Sequence, residues 1–190
     1  MAGSKKQWLV DVTAYTLAGG STSMLIGACL GLLGKLILPA PSGKPEILVV
    51  VVIASLIVGR ELGWLPLPLP QLKRQTNDAW GKFLPSTVVA ALWGMDIGLL
   101  FTTWLTFSGV WLLVIMAILT RGAIPGAILL ALYWFGRTLS TWVAPWLMPD
   151  ASATSQLIDA IRRQYWLFQR IHVVGILWCI VVLSLLFVHH

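Results

Sequence analysis

Apolar and polar positions along this chain alternate in long blocks, not at the two- or four-residue periods of a soluble fold. Apolar segments cover residues 8–38, 44–64, 84–104, 107–120, 125–143 and 171–188, separated by short polar or proline-rich connections. A helix needs about 20 mostly apolar residues to cross hydrocarbon. The pattern therefore predicts an all-α polytopic integral membrane protein with five to six transmembrane segments, forming one domain over 1–190. The first segment is interrupted by Asp11 and by the patch Gly19-Gly20-Ser21-Thr22-Ser23. Ile26-Gly27-Ala28-Cys29 has the look of a lipoprotein cleavage site. The stretch before it is too polar, and the apolar run continues past Cys29, so the segment reads as a helix.

The connections are readable too. Pro39 to Gly43 is a turn. Leu65-Pro66-Leu67-Pro68-Leu69-Pro70 is an extended strap, because alternate residues lack an amide donor. With the polar stretch that follows, 65–83 reads as interfacial. Pro145 and Pro149 close the fifth segment. Residues 152–170 carry apolar side chains at helical spacing and read as a helix lying on the membrane surface. Arg60 and Glu61 fall at the headgroups, and as neighbours they point to different sides of a helix.

Composition agrees with this reading. Hydrophobic residues make up 58% of the chain and charged residues 11%, against about 25% charged in a soluble domain. The net charge of +6 is spread over short loops, which points to headgroups and cytoplasmic loops and not to nucleic acid. The run from Leu84 to Leu119 is too long for one span and slightly short for two. If it crosses twice, basic residues divide seven to six across the membrane; if once, ten fall on the N-terminal side and Lys35, Lys44 and Arg121 on the other. The positive-inside rule prefers the second count. It predicts a re-entrant element near Asp96 and a cytoplasmic N-terminus, in a cell (inner or plasma) membrane.

Asp96 is the lone charge in that run. A carboxylate at mid-membrane costs about 2.5–3.5 kcal/mol on insertion scales, so it marks a functional position. Thr102, Thr103 and Thr106 follow it and would line a solute or ion pathway. Arg137 and Lys35 are its expected charge partners. Gly27 and Gly31, like Gly94 and Gly98, stand four apart, the spacing that lets two helices approach closely; the two helices are expected to touch. The eleven tryptophans stand mostly at span ends, as an interfacial belt does. Cys29 and Cys179 lie inside apolar runs and read as buried free thiols. No metal-ligand spacing, phosphate loop or nucleophile elbow occurs, so neither cofactor nor metal is expected. The expected partners are the lipid bilayer and either other membrane subunits or a second copy of the chain.

Gly27-Ala28-Cys29-Leu30-Gly31 and Gly94-Met95-Asp96-Ile97-Gly98 share one pattern, and each follows a Ser-Thr pair, a faint internal repeat. With these glycine-broken helices the chain, over 21–143, resembles the CcdA/DsbD family of cytochrome c biogenesis and disulfide-electron conduits, and the LysE-type exporters that share its architecture. The first resemblance implies electron transfer through one cysteine in each half. Cys29 falls at the first position; Asp96 stands at the second, leaving Cys179 as the other thiol. Three functions stand side by side: a transporter or exporter using Asp96, a thiol-disulfide conduit using Cys29 and Cys179, and a non-catalytic subunit or assembly factor of a membrane complex.

Overall fold

The computed structural model describes residues 5–39, 43–68, 79–100, 108–147, 159 and 163–189. Among these every regular element is helical: α1 (Lys5–Ile37), α2 (Lys44–Glu61), α3 (Trp80–Phe83), α4 (Ser86–Gly98), α5 (Gly109–Leu119), α6 (Ala123–Leu147) and α7 (Tyr165–His189). Three helices are long and apolar enough to cross a membrane, in α1, α6 and α7; α5 is apolar but shorter. Their apolar side chains face outward. On α6, Ile124, Ile128, Leu132, Phe135 and Leu139 are all exposed at helical spacing, a stripe that belongs against lipid. This is a membrane protein.

α1 is the rod on which the other helices hang. In lipid, apolar contact adds no driving force between helices, so close backbone approach by small residues takes its place. A Cβ on Gly27 would strike the Gly126 carbonyl, and one on Gly31 the Gly122 carbonyl. α6 therefore runs antiparallel to α1. The same pairing continues to the other end: Trp134 lies on Gly19 and Gly20, its Nε1 donates to the Thr16 carbonyl at 2.8 Å, and Trp142 Nε1 donates to Thr16 Oγ1 at 3.0 Å. Trp8 meets Trp142 edge-on at 6.2 Å.

α4 and α5 both run parallel to α1. Gly94 rests on the Tyr15 backbone and Gly98 on Gly19, while Gly34 meets the Ile118 backbone near the end of α5. At the start of α4, Thr87 Oγ1 (2.7 Å), Gln7 Nε2 (2.9 Å) and Ser86 Oγ (3.3 Å) donate to Asp11 Oδ1. Asp11 thus puts negative charge at the positive end of α4. The helices of Gly27/Gly31 and Gly94/Gly98 touch, as expected; the contact is made by Gly94 and Gly98 on Tyr15 and Gly19, while Gly27 and Gly31 seat on α6.

α2 and α7 form a second layer. Val50, Ala54, Ile57 and Val58 of α2 pack with Val173 and Ile176 of α7 and Leu112 of α5. Arg121, whose φ is 49°, and Gly122 turn the chain from α5 into α6. Arg121 Nη2 there meets Glu46 Oε1 at 2.6 Å, fastening the start of α2.

Three boundaries differ from the sequence reading. Pro145 lies inside α6 instead of ending it. Residues 165–170 belong to α7, not to a separate surface helix; their tyrosine, tryptophan and phenylalanine continue the same helical turn pattern into the apolar span. Within 84–104, α4 stops at Gly98.

Candidate functional site

The break between α4 and α5 falls partway along α1. Gly98 is level with Gly19, and Ser23 Oγ, fully buried, donates to the Gly98 carbonyl at 3.1 Å. Ser23 thereby satisfies one of the carbonyls that a helix end leaves open. Two residues on, Leu100 holds a φ of 64° while buried, a left-handed conformation that costs a non-glycine residue about 1–2 kcal/mol. Packing in the cluster of Val110, Val114 and Leu130 holds it there.

On the α4 side of the break stands Asp96, buried in the helix's last turn. It lies between the two glycines that press α4 onto α1, so α4 cannot turn it outward without losing both contacts. On the α5 side, Glu61 and His172 take the first backbone amides. Ser108 N donates to Glu61 Oε1 at 3.1 Å, Ser108 Oγ donates to the same oxygen, and Gly109 N donates to His172 Nε2 at 3.3 Å. These are the donors that an α-helix cannot satisfy internally, and away from water they require partners. As an acceptor at Nε2, His172 carries its ring proton on Nδ1. Arg60 Nη1 reaches Glu61 Oε1 at 3.1 Å, and Arg60 Nε donates to the Leu67 carbonyl at 3.0 Å. Gln169 Nε2 donates to the Glu61 carbonyl at 2.5 Å, tying α7 to the end of α2.

Glu61, Ser108 and His172 are thus brought together from α2, the start of α5 and α7, and the sequence reading missed the group. Arg60 and Glu61 do pair, against the adjacency argument, because the Glu61 side chain turns inward to Ser108 and Arg60 follows it. The one available signal was that Glu61 ends an apolar run and His172 begins one, so two helices antiparallel to each other would bring them close.

The expected partners of Asp96 separate. Lys35 is sixteen residues beyond Gly19 on α1, about 24 Å along the axis, so it does not reach the Asp96 layer. Arg137 does share that layer: its charge acts on the phenol of Tyr15, the residue under Gly94, and its Nη1 donates to the Tyr133 hydroxyl at 2.9 Å. Thr102, Thr103 and Thr106 lie outside the described residues. Cys29 and Cys179 are free thiols, and both are exposed, not buried. Among the described residues no group of three or more histidine, cysteine or acidic side chains is arranged to hold a metal.

No family model matches the chain, and no solved structure matches it. The chain is similar to one curated protein. Methylamine utilization protein MauF of Paracoccus denitrificans is 25% identical to it over 144 residues, 75% of this chain and 52% of MauF. The matched region thus spans about half the length of that relative.

Proposed function

We propose that this chain is a transporter or exporter that moves a small solute or ion through the break between α4 and α5, with Asp96 as the carboxylate that binds the cation or carries the coupling charge. The single observation behind this reading is that α4 ends inside the bundle, with Gly98 against Gly19 of α1 and the buried Asp96 carboxylate in its last turn. Irregular backbone at membrane depth is tolerated where it is enclosed by protein or lines a watery cavity. Discontinuous helices of this kind form the binding sites of many transporters. The open carbonyl end of α4 and the Asp96 carboxylate both favour a cation. Thr102, Thr103 and Thr106 belong to this path by their place in the sequence, directly after α4. Two free, exposed thiols lend no support to a dithiol relay.

Five crossings follow from the same reading, because α4 and α5 run in one direction and together make one span. That arrangement puts the ten-residue share of basic charge, and the N-terminus, on the cytoplasmic side.

MauF's name concerns methylamine, which makes methylammonium the first solute to try. Purified protein in liposomes should take up radiolabelled methylammonium, or collapse an imposed pH gradient read by an enclosed dye, faster than empty liposomes. Asp96→Asn should lower that rate at least tenfold while inserting normally. If Asp96→Asn matches the unmodified chain, the role given to Asp96 is wrong. If the unmodified chain moves neither methylammonium nor protons, transport of these species fails and the reading as a non-catalytic subunit takes its place.

A further inference from the structure

Glu61, like Asp11, gathers three donors on one oxygen at the start of a helix, but it is the more enclosed of the two. Its side chain is only 4% exposed, and three donors converge on one of its two oxygens: Ser108 N, Ser108 Oγ and Arg60 Nη1 all reach Oε1. Among the described residues Oε2 takes no hydrogen bond. The residue is also the last of α2, directly before a turn in which Gly63 has a φ of 78° and Leu62 and Trp64 are exposed. A proton therefore has a short way in and one oxygen to receive it.

We propose that Glu61 is a proton-binding latch on the inner end of α5, and that the ion coupled to movement through the break is a proton. The proposal rests on the transport reading for what the proton is coupled to. The latch itself concerns only how α2 and α7 hold α5.

The step is a simple protonation. A proton from water forms an O–H bond at Oε2, no other covalent bond breaks, and the carboxylate loses its negative charge. The bonds to Oε1 then change from charge-assisted to neutral, and such bonds are roughly half as strong. The Arg60 pair loses its Coulomb attraction. The amide end of α5 loses the anion beside its positive pole. His172, from α7, also interacts electrostatically with Glu61. Among the described residues, it and Arg60 are the titratable and charged groups against the carboxylate, since α5 from Gly109 to Leu119 contains none. With Glu61 neutral, the first turn of α5 is held by weakened, neutral bonds to Oε1 and by the 3.3 Å bond from Gly109 N to His172 Nε2.

Amide hydrogen exchange of the full chain in lipid nanodiscs tests the latch without any transport assay. Protection factors, which remove the intrinsic pH dependence of exchange, are read for the amides of residues 108–112 at about pH 8 and about pH 3, above and below the model-peptide carboxylate values. In the unmodified chain protection should fall at least tenfold at the lower pH. Glu61→Gln should show the low protection at both values, and Asp96→Asn should behave as the unmodified chain does. Equal protection at the two pH values overturns the latch. So does a Glu61→Gln variant that keeps the drop, which would assign it to His172. Should Glu61→Gln fail to fold, the infrared carbonyl band of the protonated acid is titrated in the unmodified chain and in Ser108→Ala. Loss of a donor to the charged form should move that titration to higher pH; an unmoved titration overturns the latch. Latch failure with intact methylammonium uptake would leave the transport reading standing. An intact latch in a chain that moves nothing would separate the two in the other direction.

Discussion

At the scale of single residues, the contacts that hold this bundle are made where side chains are missing. Gly27 and Gly126 each face the other's carbonyl, closer than any Cβ fits. Gly27→Val must push α6 off α1, and backbone on both sides leaves no flexible atom to yield. We expect a loss of about 1–3 kcal/mol or more, seen as a lowered unfolding temperature in detergent. Gly136 has open space around its Cα, so Gly136→Ala should stay within about 0.5 kcal/mol of the unmodified chain and serves as the control. Trp134 is a different case, since it combines burial with a hydrogen bond to the Thr16 carbonyl. Trp134→Phe should cost at least about 1 kcal/mol, because that carbonyl loses its added donor and the ring leaves a gap. The spacing of Gly27, Gly31, Gly94 and Gly98 announced close packing in the sequence. It did not say which glycine meets which helix, because every glycine offers the same absence of side chain, and the choice of partner belongs to the register of the whole bundle.

At the scale of elements, α2 is held at both ends by ion pairs of different character. Glu61 is held by Arg60 from its own helix and by Ser108, the residue before α5. Glu46 meets Arg121, in the turn after α5, and both side chains are largely buried. Removing Arg121 takes a cation from beside the largely buried Glu46 carboxylate, and breaking a buried pair from one side costs about 3–5 kcal/mol. Arg121→Ala should therefore destabilise more than the double variant Glu46→Gln with Arg121→Gln, a comparison that denaturant or thermal unfolding resolves. The reverse order would show that the pair contributes little. Neither tie was legible in the sequence: Glu46 and Arg121 are separated by 75 positions, and each has an ordinary explanation as a headgroup-facing charge. The helices themselves were legible, from the length of apolar runs and from prolines and glycines between them. The end of α4 was not, because Leu99 and Leu100 are as apolar as the residues before them, and a buried leucine in the left-handed region leaves no mark in composition.

For the whole molecule, the parallel course of α4 and α5 along α1 has a consequence for the ends of the chain. If α4 and α5 together make one span, as proposed, the number of crossings is odd and Lys5 and His189 lie on opposite sides of the membrane. In a background with Cys29 and Cys179 replaced by serine, cysteines placed at Lys5 and Gln164, both exposed, should react with a membrane-impermeant maleimide from one side, and one at Gly43 from the other. Labelling of the Gln164 position from the Gly43 side would dismiss the five-crossing arrangement. The length of α1 carries a further consequence. Its 33 residues extend about 50 Å, while hydrocarbon is about 30 Å thick, so the rod either leans or stands proud of the bilayer. Where the rod leans, its angle changes with acyl-chain length; α4, seated on its glycine steps, tilts with it, while α2 holds α5 at both ends through Ser108 and Arg121. Short- and long-chain lipids should then shift α4 against α5, a difference that amide exchange in nanodiscs of two acyl-chain lengths reads.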